Sequence, residues 1–215
     1  MGLGGAAVVT GATLMQSCGD DDFDPNACET TPEEMAGPFP IKTPADLVQE
    51  NIIGDRKGIP LLVKFTIQDV NADCVPLEGA QVDLWHCDAK GNYSEYSGQQ
   101  EGDFTGANFL RGRQLTNSLG EASFISIYPG WYPGRAPHLH VEVLKDDVSL
   151  LITQVAFPED VSASVYESSD YAGDADTKNK RDSLFKGSLD GNMADSVSGN
   201  STDGYTLVKT IKVAG

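Results

Sequence analysis

Positive charge is scarce in this chain. Against 32 Asp and Glu stand 15 Lys and Arg, a formal net charge of −17. Binding to nucleic acid needs the opposite sign, because basic groups must displace the counterions around phosphate, so no nucleic-acid partner is expected. The acidity reads as solubility. Long apolar runs are also missing. The stretch from Gly2 to Met15 is small and mostly apolar, too short for a bilayer span and suited to the h-region of an export signal. The four cysteines include no CxxC spacing, which argues against a structural zinc site. Helix-period patterning is scarce and no internal repeat is visible. Histidine is rarer still, with three residues.

The N-terminal part is read apart from the fold. Residues 1–18 read as a signal and lipobox segment: Ser17-Cys18 closes the apolar run as a bacterial lipoprotein cleavage box would, and Asp20, Asp21 and Asp22 continue as a solvated tether. No Lys or Arg precedes the run, although a leader normally opens on positive charge. The expectation is an exported protein, periplasmic or on the outer surface, tethered to membrane by lipid on Cys18. Residues 19–36 read as a linker rich in Asp, Thr, Pro and Glu, and residues 37–215 as the folded domain. With Cys18 lipidated, an oxidising compartment leaves one disulfide and one thiol among Cys28, Cys74 and Cys87. Cys28 and Cys74 both lie in polar, turn-like sequence and are the chosen pair. Cys87 follows Trp85-His86 in an apolar strand and reads as a buried small hydrophobe.

From Ile59 onward the pattern has period two. Leu61, Val63, Phe65 and Ile67 alternate with Lys64, Thr66 and Gln68, which is the signature of a half-buried strand. Further strands are predicted over 80–87, 122–128, about 139–143, 150–157 and 205–213. Asn71-Ala72-Asp73 reads as a turn, and Asn117-Ser118-Leu119-Gly120 as a hairpin signal. Two short helices are predicted, one from Pro44 to about Glu50 behind Thr43 and one from Asp176 to Lys186, ended by Gly187. Many short strands between turn clusters predict an all-β fold, an antiparallel β-sandwich with long loops and little helix.

His138-Leu139-His140 carries the sharpest chemical signal. Side chains alternate along a strand, so both imidazoles project from one face while Leu139, Val141 and Val143 project into the core. Such a pair suits a metal, zinc included. The loop before it, Tyr128-Pro129-Gly130-Trp131-Tyr132-Pro133-Gly134-Arg135, is fixed in shape by its prolines and glycines. Upstream, Leu84-Trp85-His86-Cys87-Asp88 leads through Ala89-Lys90-Gly91-Asn92 to Tyr93. His86 reads as a hydrogen-bonded structural histidine.

Together these segments resemble the intradiol ring-cleavage dioxygenases, the family of protocatechuate 3,4-dioxygenase and the catechol 1,2-dioxygenases. Phe109-Leu110-Arg111-Gly112, Thr116 to Gly120, and Leu151-Ile152-Thr153-Gln154 fit the intervening and following pattern, and Glu34 to Phe39 resembles the family's N-terminal segment, with Ala36 in place of an acidic residue. The resemblance spans nearly all of residues 28–213. It implies iron(III) as cofactor, bound by Tyr93, Tyr132, His138 and His140. It implies a small aromatic diol and O2 as partners, and ring opening between the two hydroxyl carbons to a muconate-type diacid. Tyr132 and Arg135 would be catalytic, Tyr132 as the ligand that substrate displaces. Arg135, Gln154 and Trp131 would line the substrate site. Hard, anionic phenolates favour iron(III), and a strong cation is needed to ionise phenols whose ordinary pKa is about 10. The rival readings are a zinc site and an exported binding module of the same fold without dioxygenase activity. The substrate's identity and the oligomeric state stay open.

Overall fold

The alternating pattern becomes two stacked sheets. The structure, a computed structural model, describes residues 1–2 and 28–215. The remainder of the 1–18 segment, Cys18 included, and residues 19–27 of the linker lie outside those residues. One sheet holds β1 (Pro60–Asp69), β2 (Val75–Pro76), β5 (Glu121–Ile127), β8 (Ser196–Asn200) and β9 (Gly204–Val213); the other has the order β4–β3–β6–β7, from β3 (Gln81–Trp85), β4 (Arg111–Leu115), β6 (His138–Lys145) and β7 (Val148–Ala156). Leu61, Val63, Phe65 and Ile67 of β1 point inward, as their spacing predicts. They meet Val82, Leu84, Leu139, Val141 and Val143 from the facing sheet in one apolar core. All described strand pairs are antiparallel except one: the first and last strands, β1 and β9, lie parallel, Leu61 opposite Tyr205 through Asp69 opposite Val213.

The Asn117–Gly120 turn forms, but it does not make a hairpin. Asn117 Oδ1 accepts from the Leu119 and Glu121 N–H groups, at 2.9 and 3.0 Å, and turns the chain sharply. The strands it joins then belong to different sheets, β4 pairing with β3 and β5 with β1. The expected helices also differ. Only a 3₁₀ turn over Pro44–Asp46 forms, because residues 47–52 are drawn into β-type contact with both sheets: Arg113 N–H donates to Leu47 O and Ile125 N–H to Glu50 O. The segment 176–186 holds only a 3₁₀ turn over Asn179–Arg181. The longest helix, α1 (Glu159–Tyr166), was not expected; it begins behind Pro158 with two acids in its first turn, a favourable helix start. A one-turn helix, α2 (Leu189–Asn192), follows later. No helix among the described residues is long and apolar enough to cross a membrane.

Cys28 and Cys74 form a disulfide, and Cys87 is a buried free thiol, as their polar and apolar sequence surroundings suggested. From Cys28 the chain runs as a strap over the β7 and β9 side of the sandwich. Thr31 N–H donates to Lys212 O, Glu34 N–H to Ile152 O, and the Thr153 hydroxyl to Pro32 O. The strap delivers residues 35–39 to the outer face of the β4–β3–β6–β7 sheet.

Candidate metal centre

Register across the second sheet places the site. Trp85 on β3 stands opposite His140 on β6, and His140 stands opposite Gln154 on β7. These three side chains and His138 lie on the outer face, away from the core that receives Leu139 and Val141. That face is buried too, because the strap and two loops cover it. Trp85 stacks flat on His140 at 5.0 Å between ring centroids. Gly37, with φ +70°, lets the strap lie against the imidazole edge: a Cβ there would sit 2.9 Å from His140 Cε1.

The two tyrosines arrive on loops. Tyr93 closes a turn built on Asp88, whose Oδ1 accepts from the N–H groups of Lys90 and Asn92, each at 2.9 Å. Phe39 of the strap packs on its ring at 4.9 Å. Tyr132 lies on the Pro-Gly loop between β5 and β6, half-buried, its ring edge-on to that of Tyr93 at 5.8 Å. The four expected ligands are therefore brought together, as are Arg135 and Gln154. Trp131 goes elsewhere: its indole N–H donates to Gly173 O at 2.8 Å and its ring packs on the main core.

Donor atoms converge on one point. His138 Nδ1 lies 2.7 Å from Ala136 O, so Nδ1 carries the proton and Nε2 presents a lone pair. Around that lone pair stand His140 Nε2 at 3.1 Å, Tyr132 Oη at 3.2 Å and Arg135 Nη1 at 3.5 Å. Tyr93 Oη and His140 Nδ1 are buried and meet no partner in hydrogen-bonding geometry. Orphaned buried polar atoms are rare, and the Tyr93 hydroxyl fits a cation shared with Tyr132 Oη and the two Nε2 atoms, whereas His140 Nδ1 lies on the far side of its ring from that point. Among the described residues no group of three or more His, Cys, Asp or Glu is arranged as a metal site, so a cation here would have to accept phenol oxygens.

Burial sets the resting electrostatics. It lowers His138 to about 3, with the Arg135 cation adding to the effect, and lowers His140 well below the usual imidazole range. Burial likewise raises both phenols, Tyr93 well above 10, while Arg135 pulls Tyr132 back. With no cation between them, all four groups are neutral, the state in which imidazole is ready to ligate and phenol still holds a proton to release.

Asp182 was not legible in the sequence. It lies 47 residues from Arg135, in a segment whose pattern suggested a helix, and its carboxylate accepts from Arg135 Nε at 2.8 Å. Arg135 Nη1 donates to Tyr132 Oη at 3.3 Å, and Nη2 makes a short hydrogen bond to Gln154 Oε1. His86, by contrast, is structural as read: Nδ1 faces Cys87 O at 2.8 Å and Nε2 faces Ser126 Oγ on β5 at 2.7 Å.

Fold and cluster together define a β-sandwich protein with a buried phenol–imidazole site. The family model described as Dioxygenase matches residues 37–170. Hydroxyquinol 1,2-dioxygenase of Rhizobium sp. (strain MTP-10005) is 30% identical over 145 residues, 59% of this chain and 47% of that protein. The protocatechuate 3,4-dioxygenase beta chain of Burkholderia cepacia is 34% identical over 116 residues, 50% of this chain and 48% of that one. Among solved structures, the intradiol ring-cleavage dioxygenase from Tetranychus urticae superposes with a TM-score of 0.76 at 30% identity, covering 86% of this chain and 95% of that one. The chain belongs to the intradiol ring-cleavage dioxygenase family. Its match spans about half the length of those two curated relatives.

Proposed function

We propose that this protein is a non-haem iron(III) dioxygenase that opens a catechol-type ring between its two hydroxyl-bearing carbons, using O2. The observation that carries the reading is that His140 Nε2 and Tyr132 Oη converge on the His138 Nε2 lone pair, with a second phenol, Tyr93, packed edge-on to Tyr132 and buried without a partner. Tyr93, Tyr132, His138 and His140 would hold the iron, which supplies Lewis acidity to ionise phenol and diol and accepts electron density from the bound ring. Tyr132 is the half-buried phenol on a loop, so its Oη is the group able to leave and hold a proton taken from the diol. Arg135 keeps a cationic N–H 3.3 Å from that oxygen, a fixed donor for negative charge arriving there. Trp85, Phe39 and the strap exclude water around the imidazoles and Tyr93.

The test is iron analysis, a visible absorption spectrum and oxygen uptake with a panel of catechols. Near one iron per chain, a phenolate-to-iron charge-transfer band and a muconate-type product are expected. Colourless, zinc-filled protein that stays inactive after iron loading would overturn the proposal.

We also propose that the protein works outside the reducing cytosol, anchored by lipid on Cys18. The Cys28–Cys74 disulfide supports an oxidising compartment. Mass spectrometry of cell-made protein should find a chain beginning at Cys18 with acyl mass; an unprocessed cytosolic chain would refute it.

A further inference from the structure

We infer that Asp182 is a positioning residue that aims the Arg135 guanidinium at Tyr132 and steadies the Ala136 backbone that orients His138. The carboxylate is fully buried, and Arg135 is almost so, on a segment outside both sheets. Its orientation is over-determined. Oδ1 accepts the Leu184 N–H at 3.0 Å, and Oδ2 accepts both Arg135 Nε at 2.8 Å and the Ala136 N–H at 2.9 Å. With Nε tied down, the planar guanidinium has one rotation left, and Gln154 Oε1 on Nη2 fixes that as well. Nη1 is thereby aimed at Tyr132 Oη. Gln154 is held in turn, its Nε2 donating to Met35 O of the strap at 2.8 Å.

The Ala136 contact extends the effect. The peptide N–H that Asp182 accepts belongs to the residue whose carbonyl receives His138 Nδ1–H at 2.7 Å. One carboxylate thus fixes both the cation beside the candidate leaving phenol and the backbone that sets the imidazole's tautomer. A residue serving only to neutralise Arg135 would have no need of the second contact.

The kinetic part of this inference rests on the ferric dioxygenase reading, whereas its structural part does not. Asp182→Asn keeps the shape and removes the charge. In iron-loaded full-length protein it should lower kcat by about 10- to 100-fold, the usual effect of losing a group that orients a metal-site residue. KM and iron content should change far less, and the resting charge-transfer band should move in the same direction as in Arg135→Gln. In the Arg135→Gln background the same substitution should lower kcat by a clearly smaller factor, because the share exerted through Arg135 is already lost and only the share through the Ala136 backbone is left. Wild-type kcat and spectrum in Asp182→Asn, or an undiminished effect in the Arg135→Gln background, would overturn the inference. If Asp182→Asn does not fold, Asp182→Glu keeps the charge and shifts the carboxylate by one methylene. The kinetic loss is then expected at an unchanged melting temperature, and a wild-type kcat overturns the idea.

A second arm needs no iron. In metal-free full-length protein, nuclear magnetic resonance should show a slowly exchanging Arg135 Nε–H signal that Asp182→Asn abolishes. Absence of that signal in the wild type, or its survival in the variant, overturns the inference on its own. A wild type lacking both the band and oxygen uptake defeats the dioxygenase reading while leaving this arm to decide the role of Asp182.

Discussion

At the scale of single residues, the two phenols differ in how they are held. Tyr93 is buried, with its ring against Phe39 and its backbone N–H donating to Gln99 Oε1 at 2.9 Å. Tyr132 is half-buried and its hydroxyl is shared between His138 and Arg135. Tyr132→Phe should therefore still bind iron yet turn over slowly, by about 100-fold, the loss expected when a positioned proton acceptor is removed. Its resting spectrum should lose part of the charge-transfer intensity, while the complex with a slow catechol analogue changes little. Tyr93→Phe should alter both spectra. If Tyr132→Phe disturbs the complexed spectrum as strongly as Tyr93→Phe, the two roles are wrongly assigned. His138→Ala should lower iron affinity at least 10- to 100-fold, since no neighbouring donor replaces the imidazole; dialysis against a chelator measures it.

At the scale of elements, the site depends on loops that lock together and on a sandwich that keeps its histidines neutral. Gly91, at φ +86°, packs so closely on the Trp131 carbonyl that a Cβ would collide with it. The Tyr93 turn and the Tyr132 loop are thus fixed against each other. Gly91→Ala should cost about 2–4 kcal/mol through backbone strain and overpacking, and should loosen both phenols together. Denaturant melts and iron content check this. All three histidines of the chain are buried. Burial, more than any neighbouring charge, depresses His86 to about 4 and His138 to about 3, below the unfolded value of about 6.5. The folded histidines stay neutral while the unfolded chain takes up protons, so this stability is fully present above about pH 6.5. It is lost as the pH falls toward the folded values. Metal-free protein should therefore lose about 1.4 kcal/mol per pH unit for each histidine between roughly pH 6 and 4. His86→Gln, whose amide can keep the hydrogen bond across to Ser126 on β5, should remove one histidine's share of that slope. An unchanged slope in denaturant melts would contradict it.

At the scale of the whole molecule, the N-terminal strap ties the far edge of the sandwich to the metal face. The Cys28–Cys74 link spans 46 residues of sequence. Loop-closure entropy for a crosslink of that span is worth about 4 kcal/mol. The double substitution Cys28→Ser with Cys74→Ser should lower the melting temperature by roughly 10 °C, since each kcal/mol shifts a domain of this size by a few degrees. Hydrogen exchange should quicken first along 28–39, the stretch that carries Met35 O to Gln154 and Gly37 to His140. Uniform protection in the reduced protein would show that the strap holds without its anchor.

What the sequence determined by itself was local in origin. Period-two spacing over 61–67 and at 139, 141 and 143 set which side chains enter the core, because a strand offers only two faces. The same alternation put His138 and His140 side by side, and the tyrosine-bearing loops were legible through their Pro and Gly positions and their likeness to a family. Register and reach belonged to tertiary structure. Which strands pair decided that Trp85, His140 and Gln154 form one row, that β1 and β9 run parallel, and that the 117–120 turn crosses between sheets. Residues 47–50 and 176–186 gave up expected helix because backbone and carboxylate groups found partners on distant elements. Asp182 could be found only in the fold: a carboxylate gains its role from the cation packed against it, and 47 residues of chain leave no trace of that contact in the order of amino acids.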